Sequence, residues 1–317
     1  MRRSRTRARL ANDEAVRICC LGHFVPAFIR HAAEFGFDCI WLDFEHRCWT
    51  DREIQAILPL FRLYDIDCLL RVPTTEKTRL YRYLEDGATG LMVPHVSTVE
   101  KARELVESVK FPPIGNRGID AAGLDCDFSL PDHLEYVQEA NEQTVLVVQI
   151  ETREAVENVE AIAALDGVDG LFIGPGDLGM RLALDETTDM TVESATERVA
   201  AAAAANGKAW GRPAATEAMG TLFDQGARLL AHGGDFGAIM DHLRECGSHF
   251  DDLAARGPVE KCQRRCDRLP IHNPVGGPHG LPNSAGCREV IDCRHEPCCP
   301  TSVFAGFSRP DVDDGGM

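Results

Sequence analysis

Acids, a histidine and an arginine recur in this chain where apolar runs end. The run Cys39-Ile40-Trp41-Leu42 finishes in Asp43, Phe44, Glu45 and His46, and CLLRV (68–72) carries Arg71. GLMVPH (90–95) ends in His95, VLVVQIE (145–151) holds Gln149 and ends on Glu151, and GLFIG (170–174) leads into Pro175, Gly176 and Asp177. Two carboxylates with few other ligands, Glu151 and Asp177, suit a hard divalent cation that keeps sites open for a substrate. A glycine-rich turn opening a helix, here GPGDL, offers backbone N–H groups to a substrate carboxylate. Together these would bind a 2-oxo acid; a nearby arginine stabilises an enolate and a histidine moves a proton. Each residue also has an ordinary use. Glu151 would favour a helix start through the dipole, Asp177 would cap a turn, and Arg71 would pair with Asp43. Their joint occurrence at strand ends is what points to chemistry.

The elements that must hold them follow from periodicity. Eight apolar runs of strand length occur at 16–22, 39–44, 68–72, 90–95, 145–151, 170–174, 208–211 and 227–233. Continuous rather than alternating apolar strands imply burial on both faces, as in a parallel sheet covered by helices. Segments 51–63, 76–86, 98–108, 153–164, 192–206 and 215–225 carry apolar residues at helical spacing, with cap signals such as Thr50-Asp51-Arg52-Glu53. Eight strands alternating with helices over this length predict an α/β (β/α)8 TIM barrel. No G-x-G-x-x-G follows the first strand, which removes the motif of a dinucleotide-binding sheet. In such a barrel the carboxyl ends of the strands form the active rim, and the residues above all stand there. The long stretch 111–130, with its glycines, reads as an active-site or subunit-contact loop.

Composition bounds the rest. The 317 residues suffice for one large domain plus extras. A net charge of −17 argues against a nucleic-acid partner, since such affinity is built from Lys and Arg contacts to phosphates. No apolar run is long enough for a membrane span, and the basic start MRRSRTRARL lacks the apolar stretch of a signal peptide. The expected location is therefore cytoplasmic, and Cys19, Cys20, Cys39 and Cys68, inside apolar runs, are expected as reduced, buried thiols. Three segments are expected: a disordered basic arm (1–14), a barrel domain (15–257), and a Cys/Pro/Gly-rich tail (258–317) that is disordered or mis-read. The tail spacings, such as Cys262-x3-Cys266, match no standard zinc ligand pattern.

DFEH (43–46), LLRVP (69–73), VQIET (148–152) and FIGPGDL (172–178), in order and supported by GFD (36–38), FPPIGNRG (111–118) and GVDGLFIGP (167–175), resemble the motifs of the HpcH/HpaI aldolases. These are class II pyruvate aldolases of the 4-hydroxy-2-oxoheptanedioate and 2-dehydro-3-deoxyglucarate type. The resemblance covers about residues 15–250 and implies a barrel of the phosphoenolpyruvate/pyruvate-domain type. Position by position, it implies that His46 is the catalytic base with Asp43 as its orienting neighbour, and that Arg71 steadies the pyruvate enolate. Glu151 and Asp177 would be the ligands of a divalent metal, magnesium, manganese or cobalt. Gly176 and Asp177 would lend backbone amides to the pyruvate carboxylate, and Gln149 would line the pocket.

The implied reaction is the reversible cleavage of a 4-hydroxy-2-oxo acid to pyruvate and an aldehyde, in a homo-oligomer, commonly a hexamer with exchanged carboxyl-terminal helices. The helical pattern 241–256 would supply that helix. Phe44, Cys48 and Trp49 would make the wall beside the base bulkier, and Gly179 stands where many relatives carry serine. Two other readings of the same residues are an oxaloacetate-type decarboxylase and a non-catalytic barrel that binds a 2-oxo acid.

Overall fold

The computed structural model describes residues 1–130 and 132–256. The expectations for the tail 258–317, zinc pattern included, concern residues outside this range. The strands are β1 (Val16–Leu21), β2 (Cys39–Asp43), β3 (Asp67–Arg71), β4 (Gly90–Val93), β5 (Val145–Ile150), β6 (Gly170–Ile173), β7 (Ala209–Pro213) and β8 (Leu229–Gly234). Each pairs in parallel with the next, and β8 returns to β1, closing the barrel. The helices are α1 (Arg5–Ala11), α2 (Pro26–Glu34), α3 (Asp51–Leu63), α4 (Lys77–Glu85), α5 (Val99–Val109), α6 (His133–Gln143), α7 (Arg153–Glu157), α8 (Val159–Ala163), α9 (Pro175–Ala183), α10 (Val192–Ala205), α11 (Thr216–Asp224) and α12 (Asp235–Ala255).

Two apolar layers hold this ring. Inward-facing Ile18, Trp41, Leu69, Met92, Val147, Phe172 and Leu229 fill the barrel, with Trp41 edge-on to Phe172 at 5.5 Å. Outward-facing Ile40, Leu42, Leu70, Leu91, Val148 and Ile173 pack under the helices with Ile54, Leu58, Leu105 and Val199. A barrel filled with side chains has no pore, so polar groups collect at its two ends. α3 starts on the expected capping box, Thr50 and Glu53 each bonding the other's backbone N–H.

The amino-terminal arm differs from expectation: it is ordered and plugs the end of the barrel where the strands begin. Ser4 caps α1, and Ser4 and Thr6 are buried. The reason is a set of acids at strand starts. Asp67 accepts from the Ser4 hydroxyl and the Thr6 N–H, both at 2.7 Å, and pairs with Arg2. Asp38 takes Arg9 Nε at 3.1 Å, and Asp169 takes Arg7 Nη2 at 2.6 Å and Lys110 Nζ at 2.9 Å. The basic run is a set of ion-pair partners for this end.

Of the two expectations for segment 111–130, an active-site or a subunit-contact loop, the first does not hold within this chain. Arg62, near the end of α3, donates to Leu124 O (2.6 Å) and Asp127 (2.8 Å), and the Leu124 N–H donates to Glu85 O at the end of α4 (2.8 Å). An internal Arg117–Asp125–Tyr136 cluster, with contacts of 2.6–3.1 Å, holds it together. It therefore wraps the outside of the barrel and does not line this chain's own mouth.

α12 carries Phe236, Ile239, Met240, Leu243, Phe250 and Leu253, all exposed, at helical spacing. On the outer side of β1 and β8, Cys19, Leu21 and Leu230 are buried, while Arg17 and His232 stay exposed. A cavity of about 200 Å³ opens there, lined by Ala15, Phe35, Phe37, Met219, Leu230 and His232.

Candidate active site

The carboxyl ends of β2 to β6 bring the sequence-selected residues to one rim. Asp43 and Arg71 face each other in register as the last residues of β2 and β3, and both are buried. Arg71 makes a two-pronged contact, Nε to Asp43 Oδ1 at 3.0 Å and Nη2 to Oδ2 at 2.8 Å, the geometry for which a planar guanidinium is suited. Trp41 lies beneath, its ring centre 4.6 Å from the guanidinium carbon. Burial alone would push the Asp43 carboxyl up, but the Arg71 bond and charge outweigh it and hold the group below its ordinary value.

Asp43 also shapes the turn after β2. Its Oδ1 accepts the N–H groups of Glu45 (3.2 Å) and His46 (3.1 Å). Asp43 thus fixes the His46 backbone and not its ring. The carboxylate that faces the imidazole is Glu45, with Oε2 3.6 Å from His46 Nε2 and 3.3 Å from Arg71 Nε. Half of the His46 side chain remains exposed at the mouth. Phe44 and Trp49 do not thicken this wall: Phe44 packs into the outer layer against Tyr83, and Trp49 against Phe24.

Glu151 follows β5 and is 2% exposed. Burial pushes its carboxyl above the ordinary value, against the contrary effect of His95, and the charges of Glu45 and Asp177 add to the rise. Gly174 makes room for it, because a Cβ there would lie 2.5 Å from Glu151 Oε2. Gln149 is buried one turn of the pleat below, and its Oε1 has no hydrogen-bond partner among the described residues. α9 starts at Pro175 with no side-chain cap, so the first-turn amides of Gly176 and Asp177 remain at the rim, where a Gly176 Cβ would meet open space.

Sequence reasoning named His95 and Glu45 at strand ends without giving either a part. His95 has left-handed backbone (φ 55°), and its N–H donates to Glu151 Oε1 at 2.6 Å. Its Nδ1 lies 2.9 Å from that oxygen and its Nε2 3.6 Å from Glu45 Oε1, so the ring stands between the two carboxylates. A second rim cluster joins β1 to β8: buried Asp235 accepts the N–H groups of Gly22 and His23, both at 2.9 Å, and lies 2.7 Å from His23 Nδ1. No motif marked it, because its members are 212 residues apart in sequence.

The profile of the HpcH/HpaI aldolase/citrate lyase family matches residues 18–241, most of the described barrel. The chain belongs to this family. It is 36% identical over 228 residues to the 4-hydroxy-2-oxovalerate aldolase of Rhodococcus jostii (strain RHA1), covering 70% of this chain and 83% of that one. It is 34% identical over 221 residues to the 5-keto-4-deoxy-D-glucarate aldolase of Klebsiella pneumoniae subsp. pneumoniae, covering 68% and 84%. The crystal structure of an HpcH/HpaI aldolase from Desulfitobacterium hafniense DCB-2 superposes with a TM-score of 0.71 at 30% identity, covering 84% of this chain and 98% of that one. As a member of the HpcH/HpaI family the protein is an enzyme, an aldolase-type carbon–carbon lyase.

For an HpcH/HpaI enzyme the donor set at the rim is tested by its own chemistry. Among the described residues, Glu151 is a buried carboxylate without a lysine or arginine partner, and Gln149 Oε1 is a buried acceptor without a donor. Glu151 already accepts the His95 N–H at 2.6 Å, which leaves its buried negative charge to be met by a cation and the Gln149 oxygen to be met by a donor. Oxygen donors from Glu151 and Asp177 fit a hard divalent ion that completes its shell with water and substrate. No cluster of three or more ligating side chains is present among the described residues, which leaves those two as a sparse set.

Proposed function

We propose that this lyase cleaves a 4-hydroxy-2-oxo acid reversibly to pyruvate and an aldehyde with a divalent cation, magnesium, manganese or cobalt. The observation that carries this is the juxtaposition of the Asp43–Arg71 pair and His46 with a buried Glu151 that no lysine or arginine among the described residues pairs. Glu151 and Asp177 hold the cation, and the cation supplies positive charge for the 2-oxo acid's oxygens. The amides of Gly176 and Asp177 receive the substrate carboxylate, and Gln149 faces the same pocket.

His46 takes the proton of the C4 hydroxyl; the C3–C4 electron pair passes to C3 as the aldehyde carbonyl forms. Arg71, locked by Asp43, meets the negative charge that develops on the enolate oxygen. Glu45 beside His46 and Arg71 balances the imidazolium. C3 is then protonated to give pyruvate. No lysine Schiff base takes part.

The exposed stripe of α12 and the cavity beside β1 and β8 support a homo-oligomer, a hexamer by analogy with the family, in which α12 packs on a neighbouring copy. The free thiols Cys19, Cys39 and Cys68, packed as small apolar groups, support a cytoplasmic location.

The test is pyruvate release from a panel of 4-hydroxy-2-oxo acids after chelation, with and without each metal. Metal-restored release is expected. Silence across the panel with folded, metal-loaded protein would overturn the reading. His46→Ala separates the decarboxylase alternative: cleavage is expected to fall by about 10²-fold or more, whereas oxaloacetate decarboxylation needs no hydroxyl proton removed and would persist.

A further inference from the structure

At the end of the barrel where the strands begin, between the amino-terminal arm and the starts of β7 and β8, lies a cavity of about 420 Å³. That falls within the roughly 300–1,000 Å³ of small-molecule sites. The arm contributes Arg7, Leu10 and Asp13, the entry to β7 contributes Lys208 and Trp210, and the entry to β8 contributes Arg228. Asp169, just before β6, completes the charged lining.

Both acids are already paired. Asp13 meets Arg228 Nε at 2.7 Å and Nη2 at 3.1 Å, and Asp169 meets Arg7 at 2.6 Å and Lys110 at 2.9 Å. Lys208 Nζ donates to the Leu165 carbonyl at 3.1 Å and has no carboxylate within ion-pair distance among the described residues. Arg7, Lys110, Lys208 and Arg228 therefore stand against Asp13 and Asp169, a local excess of positive charge in a chain of net charge −17. Lys110 registers that excess: burial, and then the charges of Arg7 and Lys208, lower its ammonium to about 8 against the raising effect of Asp169.

Two buried donors are left over as well. Trp210 is 2% exposed, and its indole N–H meets no acceptor among the described residues, although a buried tryptophan ordinarily finds one. Gly226, in left-handed backbone (φ 92°), keeps that N–H open to the cavity, since a Cβ there would stand 3.6 Å from Trp210 Nε1. The Arg7 Nε is buried and equally without a partner among the described residues. A lysine that only reached out to solvent would explain Lys208 but neither of these donors.

We propose that this cavity, at the opposite end of the barrel from the mouth, is a second binding site, and that its ligand is a small organic dianion, a phosphate monoester or a dicarboxylate. The anion's oxygens accept from Lys208, Arg7 and the Trp210 N–H, and its carbon part lies against Leu10 and the Trp210 ring. Because Arg7 and Leu10 belong to the arm and the other groups to the strand entries, the bound anion ties the arm to the barrel. It stabilises the folded chain by mass action.

The experiment follows tryptophan fluorescence and thermal unfolding of the metal-loaded full chain during titration with glycerol 3-phosphate, succinate and, as a monoanion, acetate. A saturable change and a rise in Tm are expected with a dianion, with acetate at least tenfold weaker; the stronger of the two dianions tells phosphate from carboxylate. Lys208→Met is expected to weaken binding about tenfold or more. Ala204→Glu, at an exposed α10 position that lines the cavity, sets a carboxylate in the anion's place and is expected to abolish binding should Lys208→Met fold poorly. The chain has three tryptophans, so Trp210→Phe is expected to remove the fluorescence change while a smaller Tm rise remains. Asp177→Asn, at the mouth, is expected to leave the affinity unchanged. No saturable response, a response to acetate as strong as to the dianions, or equal affinity in wild type, Lys208→Met and Ala204→Glu would overturn the site. So would binding lost in Asp177→Asn and kept in Lys208→Met, which would put the anion at the mouth.

Discussion

Asp43 holds together two groups that act on different atoms. Its carboxylate locks the Arg71 fork and, through two backbone N–H groups, sets the turn that carries His46. Replacing it with Asn leaves one acceptor and removes the charge opposite a buried guanidinium. Asp43→Asn is expected to lower kcat by roughly 10²-fold with a smaller change in KM, and to cost a few kcal/mol of stability; steady-state pyruvate release and urea unfolding check the two effects. Gly174→Ala acts on the other carboxylate. A Cβ at 2.5 Å from Glu151 Oε2 forces that side chain to move, and metal affinity by calorimetry is expected to fall about tenfold or more. The strand-end acids and His46 are legible in sequence because apolar runs stop at them. Which acid serves which partner is not: Glu45, and not Asp43, faces the imidazole, since side-chain direction after a strand depends on the turn and on Arg71 from the next strand.

At the scale of elements, runs of continuous apolar residues locate all eight strands, because a strand buried on both faces has no polar alternation to dilute it. Helices with an amphipathic stripe and a cap, such as α3, α5 and α10, are equally legible. α2 escapes, since Val25 offers no side-chain cap and Pro26 reads as a breaker although it sits at the first helical position. α1 escapes because its arginines look solvated until Asp38, Asp67 and Asp169 are in place. α12 is legible as a helix, and its exposed apolar stripe is what the proposed helix exchange would cover. Leu243→Asp with Phe250→Asp charges its apolar stripe without touching the rim; sedimentation is expected to show smaller assemblies than wild type, and an unchanged mass would sink the helix-exchange reading.

For the molecule as a whole, the two ends of the barrel divide the work. The mouth holds Glu45 and Glu151 with the His95 ring between them, and the opposite end is laced with ion pairs. Lys110, 1% exposed in its side chain, lies at that opposite end beside Asp169. Burial lowers its ammonium to about 8, against the raising effect of Asp169. Between about pH 8 and its ordinary 10.5 the unfolded chain holds this proton while the folded one has released it, so Lys110 makes stability rise with pH in that window. Urea unfolding at pH 7.5 and pH 10 is expected to show that contribution, up to a few kcal/mol; in Lys110→Met it is expected to vanish, and an identical pH response in both proteins would refute it.

The same end of the barrel sets an order of events. The arm that carries Arg2, Ser4, Thr6 and Arg7 is the first part of the chain described, yet its partners stand at the starts of β3 and β6, the latter more than 160 residues further along. During synthesis it must wait, unpaired, until those strands have joined the ring. It then acts as the latch of an already closed barrel, so its loss is felt less in how fast the ring forms than in how fast it reopens.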